Sequence, residues 1–469
     1  MTPAPALKRG IRFHDLALFY VVVALSVRWT ATAAAAGPSI LIVWIAALTC
    51  FFIPLAACTM ELSSRHPDEG GIYIWTREAF GDFSGFICAW TYWMSNLPFF
   101  PGVLYFGAAS ALFAFGPRAQ MLAANPVYYV LFAVLSLLLI TALNIRGVDA
   151  GKWLNNVGSL GSLLPLTVLV LLAAESYWRF GPATHFTAAS LVPHWTLNNA
   201  VFWSSVFFAF SGIESGSAMG DEIQNPRRVM PWALLVGGSI LATGYIAGTA
   251  ALLVALPSRA IGGPDGFVNG IHVLADRLGL GWLLAPVALL VALNAVGGAA
   301  ANLSSNARLP FVAGVDRYLP DAFGWIHPRY RTPWVAIGVY GVAGMVVALL
   351  SQAGTSVRGA YGVLVSMAVI SLFLPYVFLF AAMIRLQGRP VEPGIHRVPG
   401  GRPVAILLAS IGLVSTSFTI VLSVIPGAEE PDKVLAFVKV LGGTIVLVCA
   451  GVAVFLIERR KARSNLAPG

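Results

Sequence analysis

From residue 16 onward the chain repeats one pattern, a long apolar run followed by a short polar stretch carrying Arg, Asp, Gly or Pro. A bilayer core about 30 Å thick is crossed by roughly 20 apolar residues in helical form. Twelve stretches qualify, near 16–36, 39–61, 84–115, 127–144, 154–174, 200–224, 231–256, 281–303, 333–352, 359–384, 403–425 and 434–457. The pattern predicts an all-α integral membrane protein with twelve transmembrane helices. A second span follows the first almost at once, so the first is read as a retained span rather than a cleaved leader.

Two runs break their own pattern. The first reads "ALFYVVVALSVRWTATAAAAGPS", with hydroxyls and Arg28 where continuous Leu or Val would be expected. The sixth carries "FSGIESGSAMGDEIQNPRR", with Ser211, Gly212, Glu214, Ser215 and Gly216 in its middle. Irregular backbone is tolerated at mid-membrane only where it lines a cavity or is buried in protein. The amides and carbonyls freed there, with the half-helix dipoles, bind polar solutes. Close helix packing alone would explain Gly212 and Gly216 but would leave Glu214 without a role.

Each broken span heads a block of five, and each block has an amphipathic connection between its second and third spans: "GIYIWTREAFG" in one and "DGFVNGIHVLADRLG" in the other. In the latter Phe267, Ile271, Leu274 and Leu278 share a helical face. These features fall on opposite sides of the membrane, which predicts a five-plus-five inverted-repeat transporter fold with discontinuous helices 1 and 6. The transport core is then 16–384, built from repeats near 16–174 and 200–384. Two accessory helices follow in 403–457, with tails at 1–15 and 458–469.

Composition agrees: 58% of the residues are hydrophobic, 10% are charged, and mean hydropathy is +0.80. The net charge of +9 raises the question of nucleic acid, which the placement of Lys and Arg answers. With the N-terminus taken as cytoplasmic, 21 of them fall on that side, 7 on the other, and Arg28 within a span. That bias fits the positive-inside rule with both termini cytoplasmic, so the basicity sets topology and no nucleic-acid partner is expected. The expected partners are the lipid bilayer and a small solute. Cys50, Cys58, Cys88 and Cys449 all sit in apolar runs and read as core residues. The histidines show no ligand spacing, so neither a metal nor a cofactor is expected. No Ser/His/Asp, metal or nucleotide constellation supports an enzyme. Short loops and an Ala- and Arg-rich composition suggest a bacterial inner membrane.

Four segments resemble one family in the right order: "ELSSRHPDEGGIYIWTREAFGDFSGFICAWTYW" (Glu61–Trp93), "NIRGVDAGKWLNN" (Asn144–Asn156), "FSGIESGSAMGDEIQNPRRVMPWA" and "NARLPFVAGVDRYLPDAFGWIHPRYRTPWVAI" (Asn306–Ile337). Over about residues 20 to 400 the chain resembles the amino acid–polyamine–organocation transporters. The resemblance implies alternating access and an amino acid or related amine as substrate. The chain departs from that pattern twice. The first break reads "SVRWTAT" where the family usually has Gly-x-Gly holding the substrate carboxylate, and "NNVGSLGSLLPL" lacks the lysine found in many proton-coupled members.

The candidate substrate contacts are Val27, Arg28, Trp29, Thr30, Ala31 and Thr32 at the first break, and Phe208, Ser211, Gly212, Ile213, Glu214 and Ser215 at the sixth. An arginine at mid-span costs at least about 2.5–3.5 kcal/mol on insertion scales and needs an interior partner. Arg28 either replaces a coupling cation, or forks onto the substrate carboxylate, or pairs with Glu214. Glu214 either responds to protons or holds the substrate ammonium, unless it is paired with Arg28. By resemblance Phe208 is the aromatic gate, while Trp29, Phe207 and Phe210 are further aromatic candidates. Asp221 and Glu222, with the arginines of the loop, form a candidate latch at the cytoplasmic end. Trp93, Ser95 and Asn96, and Ser366, Ser371 and Tyr376, are pathway candidates. Asn294, Asn302, Ser304 and Ser305 mark the side of a sodium site that a nearby Arg28 would disfavour. The reading is a secondary permease or exchanger for an amino acid, with polyamine uptake and a non-transporting sensor as alternatives.

Overall fold

The computed structural model describes residues 7–261, 265–316, 318–351, 357–390, 394–425 and 432–464. These are helical and irregular except for one parallel bridge between Ile11 and Ile223. Among the described residues seven helices are long and apolar enough to cross a bilayer, or eight if one bent pair counts as a span.

The bent pair is α1 (Phe13–Ala24) and α2 (Arg28–Ala34), which meet at 41°. The sequence reading placed this break at Ser26–Thr32, but the unwound residues are Leu25–Val27 and the helix resumes at Arg28. Hydrogen bonding explains the position. The Tyr245 hydroxyl donates to Ala24 O at 2.5 Å and accepts from Ser26 N at 3.1 Å, standing in for helix partners lost at the turn. The Thr30 hydroxyl donates to Val27 O at 2.6 Å and ties off the restarted helix.

Next come α3 (Ile40–Arg65), the amphipathic α4 (Ile72–Phe80), and α5 (Asp82–Ser95) with α6 (Phe99–Leu112), which lie within one long apolar element over Asp82–Phe115. They are followed by α7 (Pro126–Arg146) and α8 (Val148–Phe180). The second broken element is α9 (Leu197–Ala209), an unwound stretch, and a 3-10 turn over Ser215–Glu222. After it run α10 (Pro226–Ala255), the second amphipathic helix α11 (Gly266–Arg277), α12 (Leu284–Asn306), α13 (Arg308–Val315), α14 (Trp334–Leu350) and α15 (Val357–Leu386). The helices α16 (Gly401–Ser423) and α17 (Lys433–Ser464) pack outside this core. Ser415 Oγ donates to Cys50 O at 2.7 Å, and Trp90 Nε1 donates to Leu447 O at 2.8 Å.

Both amphipathic connections form helices. On α11, Phe267, Ile271 and Leu274 are fully buried and Leu278 just beyond it is half-buried, as the spacing predicted. One cysteine differs from expectation: Cys449 is exposed on the outer surface of α17, so its apolar run faces outward there.

The turn after the second break is locked to the connection between α3 and α4. Gly70 N donates to Ala218 O at 3.1 Å, and Ile11 joins the same end, with Ile11 N to Glu222 O at 3.0 Å and Gln224 N to Ile11 O at 2.9 Å. Gly220 allows this approach, because a Cβ there would collide with the Pro67 and Asp68 carbonyls. Overpacking of this kind costs about 1–3 kcal/mol. Gly220→Ala is therefore expected to lower the thermal unfolding midpoint in detergent, whereas Gly338→Ala, whose Cβ would meet open space, leaves it unchanged.

Candidate functional site

The two unwound stretches enclose a cavity of about 40 Å³. That is room for a few water molecules, so a larger solute requires the surrounding helices to part. Of the twelve predicted contacts, Arg28, Trp29, Phe208, Ser211, Gly212 and Ser215 line it. Val27, Thr30, Ala31, Ile213 and Glu214 are buried behind the wall, and Thr32 is spent on Arg28 O at 3.1 Å. The wall is completed by Ser26, Tyr92, Asn96, Phe99, Asn302 and Leu372, among others. The sequence reading had Asn96 and Asn302 as polar residues on two different spans but could not bring them together. In the fold Asn302 Nδ2 donates to Asn96 Oδ1 at 2.9 Å.

Arg28 is the only charged side chain among the described residues lining this cavity. It is 5% exposed, with its guanidinium carbon 5.2 Å from the centroid of the Trp29 ring and 5.7 Å from that of Phe99. Such stacking offsets part of the cost of removing the cation from water. Trp29 and Phe208 meet edge-on at 5.7 Å and close one side of the cavity. Phe207 instead faces an apolar groove, and Phe210 is buried against Trp44 and Tyr245.

No ion pair joins Arg28 to Glu214 among the described residues; the Glu214 carboxylate is held otherwise. Its Oε1 accepts from the Tyr92 hydroxyl at 2.5 Å and the Tyr376 hydroxyl at 2.8 Å, and its Oε2 accepts from Gly212 N at 3.2 Å. Gly212 sits at φ +105°, a conformation that favours glycine. Glu214 thus caps the unwound backbone and ties it to α5 and α15. A glutamine there would turn a donor toward Gly212 N–H, and an unsatisfied buried group costs about 1–3 kcal/mol. Glu214→Gln is expected to lower the unfolding midpoint and to slow function about tenfold, a result checked by thermal melts beside activity. Unchanged values would show that this cap is dispensable.

A second cluster lies beside the N-terminal segment, at a separate small space lined by Ile11, Glu222, Ser304 and Arg308. Arg308 Nη2 binds Glu222 Oε1 at 2.8 Å and Oε2 at 3.0 Å, and its Nη1 donates to Ser304 O. Both residues are at most 2% exposed. Glu222 is thus paired, but with Arg308 rather than with the loop arginines that the sequence offered, and Asp221 is not part of the pair: its side chain is exposed, and only its backbone N–H takes part, donating to Glu69 Oε2 at 3.0 Å. Glu69 and Arg308 gave no periodic signal, and only the fold brings them beside Glu222.

The proposed sodium-side residues diverge. Asn294 Nδ2 donates to Gly158 O at 3.0 Å, Ser305 bonds within its own helix, and Ser304 Oγ faces Met219 Sδ at 3.7 Å. Trp93 and Ser95 do not line the cavity, Ser371 is buried away from it, and the side chain of Ser366 lies outside the described residues.

A cavity between two unwound stretches, lined by one buried arginine beside hydroxyls and amides and closed on one side by Trp29 and Phe208, has the build of a membrane solute carrier. The chain matches the amino acid permease family model over residues 13–452. It belongs to that family, within the amino acid–polyamine–organocation superfamily, and is a multi-pass membrane transport protein. It is similar to a Legionella pneumophila protein described as an uncharacterized transporter, with 28% identity over 94% of this chain and 95% of that one. It is also similar to the probable agmatine/putrescine antiporter AguD of Lactococcus lactis, with 23% identity over 93% and 92%. The serine/threonine exchanger SteT of Bacillus subtilis is 26% identical over 72% and 73%. In fold it matches the crystal structure of MhsT in complex with L-phenylalanine, with a TM-score of 0.62, 16% identity, and coverage of 89% of this chain and 99% of that one.

Proposed function

We propose that the protein is an exchanger for an amino acid that presents a carboxylate to Arg28, working by alternating access between the two broken helices. The observation that carries this reading is Arg28 as the only charged side chain among the described residues lining the cavity. Its planar fork suits a carboxylate, and its charge opposes a polyamine, so the likeness to AguD is not extended to its substrate. An arginine stays protonated at any relevant pH. A fixed cation at this position takes the place of a coupling ion, which favours exchange over symport.

In this reading the chain has twelve spans arranged as five-plus-five inverted repeats near 16–174 and 200–384, with α16 and α17 accessory to them. Both termini face the cytoplasm of a bacterial cell, across its inner membrane, as the distribution of Lys and Arg favours. Trp29 and Phe208 then form the outer lid, and Glu222–Arg308 the inner gate. The experiment is uptake of labelled glutamate, leucine, arginine and putrescine into proteoliposomes, empty or preloaded with the same unlabelled solute. Uptake of a carboxylate-bearing solute only into loaded vesicles supports the proposal. Uptake of putrescine, or equal uptake into empty vesicles, overturns it.

A further inference from the structure

The inner gate contains one more carboxylate than its cation can serve. Arg308 spends Nη2 on both oxygens of Glu222 and Nη1 on Ser304 O. Its Nε is 3.9 Å from Glu69 Oε1, beyond hydrogen-bond length. Neither of those two atoms has a hydrogen-bond partner, and Glu69 is only 5% exposed. Its other oxygen, Oε2, accepts from Asp221 N at 3.0 Å. One face of Glu69 borders an open vestibule of about 450 Å³ that Arg9, Asp68 and Asp221 also line.

We propose that Glu69 is a proton-binding site through which the pH of the vestibule holds the inner gate shut. The inference rests on the transporter reading only for which face is cytoplasmic. A proton is the ligand that fits: the free oxygen has no surface for a larger one, and among the described residues no three His, Cys, Asp or Glu side chains are grouped to hold a metal ion. The charged and titratable neighbours come from each adjoining element. His66 and Asp68 lie on the same connection, Asp221 and Glu222 on the turn, Arg308 at the start of α13, and Arg9 on the N-terminal segment. Carboxylates outnumber arginines here, so protonating Glu69 leaves a neutral Glu222–Arg308 pair at the centre of the closed gate.

Burial, followed by the charge of Glu222, raises the Glu69 carboxyl well above the usual carboxylate range in the closed form. Opening would solvate it and return it toward its ordinary value of about 4.3. Protons therefore bind more tightly to the closed gate. Between the two values, falling pH stabilises closure and rising pH loosens it. The proton enters and leaves by the same vestibule, so it regulates transport without driving it.

The test is the labelling rate of a cysteine placed at Ser304, which lines the small space beside Glu222 and Arg308. A membrane-impermeant maleimide is applied to the vestibule face at pH 5 to 8, and the unmodified parent corrects for native cysteines. With Glu69 intact, labelling is expected to rise several-fold with pH on that face and to ignore pH on the other. In Glu69→Gln it stays low and flat. A flat profile with Glu69 intact overturns the proposal, as does an unchanged profile in Glu69→Gln. If Glu69→Gln does not fold, the profile with Glu69 intact still decides, through a midpoint above or within the ordinary carboxylate range. The readout needs no substrate, so failure of the exchanger reading, seen as no uptake of any panel member, is a separate result.

Discussion

Arg308→Gln is expected to abolish closure of the inner gate and to reduce exchange more than a hundredfold. The side chain is 2% exposed and is the cation bound to Glu222, with Glu69 Oε1 3.9 Å from its Nε. Removing one partner of a buried ion pair typically costs about 3–5 kcal/mol, because the remaining charge is left uncompensated. Each 1.4 kcal/mol is a factor of ten. Labelling of a cysteine at Ser304 should become fast and nearly independent of pH, while substrate affinity measured on the aromatic side changes little. Replacing Glu222 by Gln in the same protein removes the stranded charge and should recover part of the folding yield. Slow labelling in Arg308→Gln would mean that the gate is held by backbone contacts at Gly220 and Ile11 alone.

Arg28→Gln is expected to weaken binding of a carboxylate-bearing amino acid about 10- to 100-fold. A hydrogen bond to a charged group contributes about 1.5–3 kcal/mol, and the glutamine keeps much of the contact with Trp29 and Phe99. The loss should appear mainly in KM for exchange. Arg28→Lys retains the charge but not the fork. If Arg28 replaces a coupling cation, exchange by the lysine variant acquires a dependence on pH. Unchanged affinity in Arg28→Gln would remove direct carboxylate binding and leave the guanidinium a packing role against its two rings.

Much of this architecture was legible because membrane solvation imposes length and polarity on each span. The apolar runs located the long helices, and the 3.6-residue period of Phe267, Ile271 and Leu274 located α11. Hydroxyls and glycines marked both breaks. The exact unwound residues were not legible, because they depend on Tyr245, some 220 residues away in the chain, supplying the hydrogen bonds at Ala24 and Ser26. For the same reason Glu214 was identified as important, with a pair to Arg28 left open as one alternative, while the two tyrosines that hold its carboxylate stayed out of view. Its tyrosines lie on α5 and α15, and a carboxylate and a cation placed at two matching breaks in the sequence need not meet in space. Glu69 stayed hidden because one charged residue in a polar connection looks solvated until the fold covers it.

Binding of a carboxylate at Arg28 in the cavity between the breaks is tested by a cryo-EM structure with the exchanged amino acid bound. Substrate density is expected between Ser26 and Ser215, its carboxylate within hydrogen-bond distance of the Arg28 guanidinium, with Trp29 and Phe208 moved apart to admit it. Density with the ammonium toward Arg28, or substrate bound outside this cavity, would contradict it.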